Sequence, residues 1–99
     1  MKIKINNISW EIVKAKSTDD IMREKWGCCV YTEHRIYLLH DMRREQLLST
    51  LIHELVHAYE YSFGLYDMQS DNRHEDLAKF IQLYGEQIID RARLLVVKL

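Results

Sequence analysis

Leu47, Leu48, Leu51, Ile52, Leu55, Val56 and Tyr59 recur at the three- and four-residue spacing of one helical face. That stripe demands a long helix packed on a core, running from position 42 or 43 to 63, with Glu45 near its start and Gly64 as its stop. Within the stripe stands His53-Glu54-Leu55-Val56-His57. Residues four apart on a helix lie about 40° apart around the axis and about 6 Å apart along it. His53 and His57 therefore share a face and can reach one ion, for which zinc is the expected metal. Glu54 is too close in sequence to be a comfortable third ligand and is placed to take a proton from a water on the metal. Histidines and a carboxylate on a packed helix are costly without a partner, which favours a metal over a chance pattern. The chemistry implied is zinc-assisted hydrolysis of a peptide-like bond.

The rest of the chain divides around this helix. Before it, 2–5 and 8–16 alternate as strands, with Asn6-Asn7 as the turn between them. Ser17, Thr18 and Asp19 can cap a short helical turn over 20–25. Gly27 breaks the chain, and 28–32 and 35–39 form a hairpin turning at Glu33-His34. After it, 65–70 is a loop, and Asp71 or Asn72 caps a second helix reaching about Leu94. Leu77, Phe80, Ile81, Tyr84 and Ile88 are its expected buried face, with Gly85 a point of close packing. The apolar tail Leu94-Leu95-Val96-Val97 is expected to dock on the core, with a dimer contact as the alternative. The class is α+β: a single domain over 1–99 with a small twisted sheet of about three to four strands packed on two long helices.

Bulk properties narrow the partners. Ninety-nine residues support one modest core. Fourteen Lys and Arg against fifteen Asp and Glu give none of the basic excess of a nucleic-acid binder. No run reaches the length of a membrane span and the N-terminus lacks the apolar centre of a signal peptide, so a cytoplasmic monomer acting on an extended peptide or protein is expected. The only two cysteines, Cys28 and Cys29, are adjacent and cannot close an ordinary disulfide. They are expected to point to opposite faces of a strand, with a soft metal site as the minor alternative.

A catalytic zinc site needs a third protein ligand. The positions at which a metzincin would place glycine and histidine hold Glu60 and Phe63, so the donor must lie elsewhere. The first turn of the second helix offers His74, Glu75 and Asp76. Helical phase puts His74 on the face of Leu77, Ile81, Tyr84 and Ile88 and turns Glu75 mostly outward, which favours His74 over Glu75. Asp76 or Asp71 can instead support a ligand imidazole from behind. His40 is a candidate for the border of the cleft, and His34, at a turn, is expected to be solvated. An oxyanion donor is sought among Tyr59, Tyr61, Tyr66 and His40.

The run Gly27-Cys28-Cys29-Val30-Tyr31, then Arg35-Ile36-Tyr37-Leu38-Leu39, the stretch from Thr50 to Ala58 around the HExxH, and His74-Glu75 with Phe80 and Tyr84-Gly85 together resemble the small zincin metallopeptidases. The likeness is greatest to short ImmA/IrrE-type proteins common in phages and mobile elements, and HELVHAYEY followed by a histidine on the next helix also resembles SprT-like proteases. It spans about Gly27 to Gly85, and HExxH is its one sharp motif. The resemblance implies a minimal zincin fold, with zinc held by His53, His57 and a ligand on the following helix, and Glu54 as general base. It further implies that the strand nearest the cleft, here 35–39, pairs with substrate. The chain departs from the ImmA/IrrE pattern at two positions: His74 stands where glutamate is usual, and Ala78 where a supporting carboxylate is usual. Two rivals accompany the peptidase reading: a zinc-stabilised binding or inhibitory module that does not cut, and a DNA-associated protease using Arg43, Arg44, Arg91 and Arg93.

Overall fold

The computed structural model describes the backbone of residues 1–65 and 73–99, and the side chains of all of these except 73–75. Strand β1 (Lys2–Ile5) and strand β2 (Ile8–Ala15) pair antiparallel, in register from Lys2↔Glu11 to Ile5↔Ile8. The reversal falls on Asn6 and Asn7, whose φ values of 48° and 66° meet the left-handed requirement of a tight hairpin turn. Alternation places Ile3, Ile5, Trp10 and Ile12 on the buried face, while Ala15, out of phase with them, is buried on the other side of the sheet.

The expected helical turn after β2 is one short 3₁₀ turn, Asp20–Met22, which buries Met22. Strand β3 (Gly27–Val30) and strand β4 (Arg35–Leu39) make the expected hairpin, joined by a 3₁₀ turn at Tyr31–Glu33 and a left-handed His34 with φ 52°. Strand β4 then lies parallel to β2, from Glu11↔Arg35 to Ala15↔Leu39, giving the order β1-β2-β4-β3. The hairpin therefore enters the sheet with β4 inside and β3 at the rim.

Helix α1 (Arg44–Ser62) crosses the inner face of the sheet. It ends as the sequence requires: Gly64 takes φ 72°, Leu65 N–H donates to Glu60 C=O and Gly64 N–H donates to Tyr61 C=O. This pair of bonds is the Schellman stop that a left-handed glycine permits. Trp10 Nε1 donates to Ser62 Oγ at 2.8 Å and Asn6 Nδ2 to Ser62 C=O at 2.9 Å, fixing the end of α1 to the first hairpin.

The second helix is not one regular helix. Helix α2 (Arg73–Phe80) passes into a π-helical segment, Ile81–Gly85, and continues as helix α3 (Glu86–Val96). A π turn carries more residues than an α turn. Phe80, Tyr84 and Ile88, four apart, consequently line up in one inward row, and the row continues to Ala92 and Val96. The expected buried face is corrected at two positions: Leu77 is 53 % exposed and Ile81 57 %. The tail is half docked, with Leu95 and Val96 buried and Leu94 and Val97 exposed. The core thus lies between the inner sheet face, α1 and α3, around Ile36, Leu38, Leu51, Leu55 and Ala92. No described helix is long and apolar enough to cross a membrane.

Candidate metal centre

Helix α1 delivers the motif as its spacing dictates. His53 is exposed, His57 half-buried and Glu54 buried, so the histidines line the outer flank of the helix while the carboxylate turns towards the sheet. Nε2 of His53 and Nε2 of His57 are 3.3 Å apart. Ligand atoms of His53, Glu54 and His57 all lie within 4.8 Å of one another, and among the described residues this is the group that can hold a metal ion.

Strand β3 roofs this group. Gly27 sits directly above Glu54: a β-carbon there would come within 2.7 Å of Thr50 Cγ2 and 3.1 Å of Glu54 Oε2. The strand can pass this close to the helix only where there is no side chain. A cleft of about 350 Å³ opens beside it, walled by Lys25, Trp26 and Gly27 on one side and Thr50, His53 and Glu54 on the other. Trp26, 55 % exposed, stands at its rim.

Charge in the site follows from burial. Loss of water around the Glu54 carboxyl pushes it above the usual carboxylate range, and His53, His57 and Lys25 pull in the opposite direction. Cys29, on the same face of β3 as Gly27, is pushed up to about 12 by burial, then by Glu54 and Cys28. Cys28 and Cys29 are both free thiols, as their adjacency required.

At the far end of β3, Tyr31 Oη lies 3.4 Å from His57 Nδ1. Its ring stacks on Tyr61 at 5.1 Å and 8°. Tyr61 in turn stands edge-on to Trp10 at 5.8 Å and 89°.

Several sequence expectations are corrected by placement. Strand β4 is not the strand nearest the cleft: it is paired on both sides, and of the two edge strands, β1 and β3, it is β3 that borders the cleft. His40 lies 2.9 Å from Asp41 Oδ1 and lines a separate depression with Lys16 and Leu39, so it does not border the cleft. His34 is half-buried, its ring 5.2 Å from that of Trp10 and part of it lining a surface depression. Tyr59 is buried, and its Oη accepts from Arg91 Nη1 at 3.2 Å on the α3 side, away from the histidines. The phase argument for His74 took Leu77 and Ile81 as inward markers, and both are exposed. The side chains of His74 and Glu75 lie outside the described residues, as do Tyr66 and Asp71.

Gly27, Tyr31, Lys25 and Trp26 were not singled out as site residues by the sequence. Gly27 had a signal, as one of three glycines standing at the start of a strand. The others had none, because only the topology carries them to α1.

Comparisons with family models, with curated proteins and with solved structures give no match.

Proposed function

We propose that the chain is a zinc metalloendopeptidase, cutting an extended segment of a protein substrate laid along β3. The observation that carries this reading is the convergence of His53, Glu54 and His57 beneath an open sheet edge. Their donor set fits zinc. Two ligands about 2.0–2.1 Å from a tetrahedral ion stand about 3.3–3.4 Å apart, and the two Nε2 atoms are 3.3 Å apart. The third protein ligand is assigned to the first turn of α2, to His74 by the sequence reading, with Glu75 as its competitor.

Zinc supplies Lewis acidity when bound, acidifying a water and polarising a carbonyl. The chain's own residues do the rest. Glu54 would accept a proton from the attacking water as the new C–O bond forms, and then return it to the amide nitrogen, so that the C–N bond breaks with a neutral amine as the leaving group. Burial raises the affinity of Glu54 for that proton, which suits a base. Its carboxylate lies against Gly27, where a chain paired on β3 would present its scissile bond.

The hydrogen-bond ladder of β3 supports this placement. Leu39 N–H donates to Trp26 C=O at 2.8 Å, so residues 26, 28 and 30 turn their backbone to β4. By alternation Gly27 and Cys29 turn theirs to the open side, where no described residue pairs with them. Their N–H and C=O groups can add one strand to the sheet.

The test is zinc per chain for wild type, His74→Ala and Glu75→Ala purified without added metal, followed by peptide hydrolysis by wild type and Glu54→Gln. Near-stoichiometric zinc, lost only in His74→Ala, with hydrolysis abolished and zinc retained in Glu54→Gln, is the expected result. Loss of zinc in Glu75→Ala instead moves the third ligand. Cleavage by Glu54→Gln overturns the mechanism, and a wild type that holds no zinc after reconstitution leaves the non-cutting binding module as the better reading.

A further inference from the structure

His57 presents two ring nitrogens to two different neighbours. Nε2 faces His53 Nε2 at 3.3 Å, and Nδ1 faces Tyr31 Oη at 3.4 Å. An ion shared by the two histidines needs the Nε2 lone pair of each. A neutral imidazole with a free lone pair on Nε2 carries its proton on Nδ1, and that N–H needs an acceptor if the ring is to hold its tautomer and orientation. The phenol oxygen of Tyr31 is in place to be that acceptor.

Tyr31 is itself held from behind. Its ring lies flat on Tyr61, Tyr61 meets Trp10 edge-on, and Trp10 is 1 % exposed with its indole N–H bonded to Ser62 Oγ. The hydroxyl is thus tied through three rings to the last turn of α1, the helix that carries His57. Backbone geometry helps: Tyr31 opens the 3₁₀ turn at the end of β3, and the left-handed His34 closes that turn under Trp10. Among the described residues His53 Nδ1 has no such contact, so the two imidazoles differ in how firmly they are set.

We infer that Tyr31 is a positioning residue of the metal centre, accepting the Nδ1 proton of His57 and so fixing Nε2 as the metal-facing nitrogen. This deepens the metal reading of the same site. It makes the β3–β4 turn, which holds no ligand, a determinant of metal affinity. Support of this kind is worth about ten- to a hundredfold in affinity.

Tyr31→Phe removes the hydroxyl and keeps the ring that stacks on Tyr61. The experiment has two arms. In metal-free protein, long-range ¹H–¹⁵N spectra of the histidine side chains read the tautomers of His57 and His53, assigned with His57→Gln and His53→Gln. The expected result is His57 protonated on Nδ1 in wild type and a mixture in Tyr31→Phe, with His53 unmoved. In the second arm zinc affinity is measured by competition with a chelator, and the visible spectrum of the cobalt-substituted protein is recorded. About a tenfold weaker zinc affinity and a shifted cobalt spectrum are expected in Tyr31→Phe. Unchanged His57 signals, or zinc affinities within twofold, overturn the inference. If wild type binds no zinc, the metal reading fails on that result, and the metal-free tautomers alone decide the role of Tyr31.

Discussion

Gly27 and Glu54 exclude each other's bulk: a β-carbon on Gly27 would lie 3.0 Å from Glu54 Cγ, with Thr50 Cγ2 at 2.7 Å closing the other side. The strand that roofs the site is therefore set by what it lacks. Gly27→Ala is expected to cost about 1–3 kcal/mol through overpacking and to weaken metal binding by displacing the strand or the carboxylate. Thr50→Ser removes the nearest methyl, so adding it to Gly27→Ala should restore part of the stability. Urea denaturation of the two variants against wild type checks this, and a Gly27→Ala as stable as wild type would remove the close-approach argument.

Glu54 gives a pH signature in the metal-free protein. Burial raises its folded-state pKa above the unfolded one, so the fold prefers the protonated form. The stability tied to that preference is complete below the unfolded pKa and is lost as pH rises through the folded pKa. As pH rises towards neutrality, wild type therefore meets a desolvation cost on ionising Glu54 that Glu54→Gln does not. With chelator present, Glu54→Gln should melt several degrees above wild type at pH 7, the gap closing towards about pH 4. A gap that widens on acidification would reverse the sign and refute the account.

The thiol pair should divide sharply in reactivity. With Cys29 pushed up to about 12, about one thiol in ten thousand is thiolate at pH 8. Iodoacetamide on the folded protein is expected to give a single adduct at Cys28, and two adducts after unfolding. Peptide mapping reads the outcome, and equal labelling of Cys29 in the folded state would show that β3 is not seated against Glu54.

Trp10 and Ser62 should be energetically coupled. The indole N–H donates to Ser62 Oγ at 2.8 Å in a buried setting. Trp10→Phe leaves that hydroxyl without its donor and is expected to cost about 1–3 kcal/mol. In a double-mutant cycle with Ser62→Ala the coupling should be about 0.5–1.5 kcal/mol. Additive losses in the cycle would mean that the bond does not hold α1 to the first hairpin.

Local chemistry was legible in the sequence wherever one stretch of chain decides it. Asn6-Asn7 can both take positive φ, Gly64 can stop a helix, and the Leu47 to Tyr59 stripe fixes α1, so these elements stand where the residues put them. The HExxH face was legible for the same reason, since i and i+4 meet on any helix. What the residues do not encode locally is which strand neighbours which. Nothing in 35–39 says that it will pair in parallel with β2, yet that pairing puts β4 in the interior and leaves Gly27–Val30 as the edge above the histidines. The exposure of Leu77 and Ile81 was hidden too, because a 3.6-residue count carried through Ile81–Gly85 assumes α geometry where the chain adopts π.

That π segment makes the aim of α2 a matter of chain length. A widened turn is geometrically one surplus residue, so deleting a single residue from Ile81–Gly85 would rewind it as α-helix and rotate α2 by about 100° relative to α3. A one-residue indel far from the histidines can thus turn α2 relative to α3 while leaving every side chain of α1 untouched. Among homologous chains, variation in the length of this segment would be expected to track changes at the start of α2 rather than changes in the core.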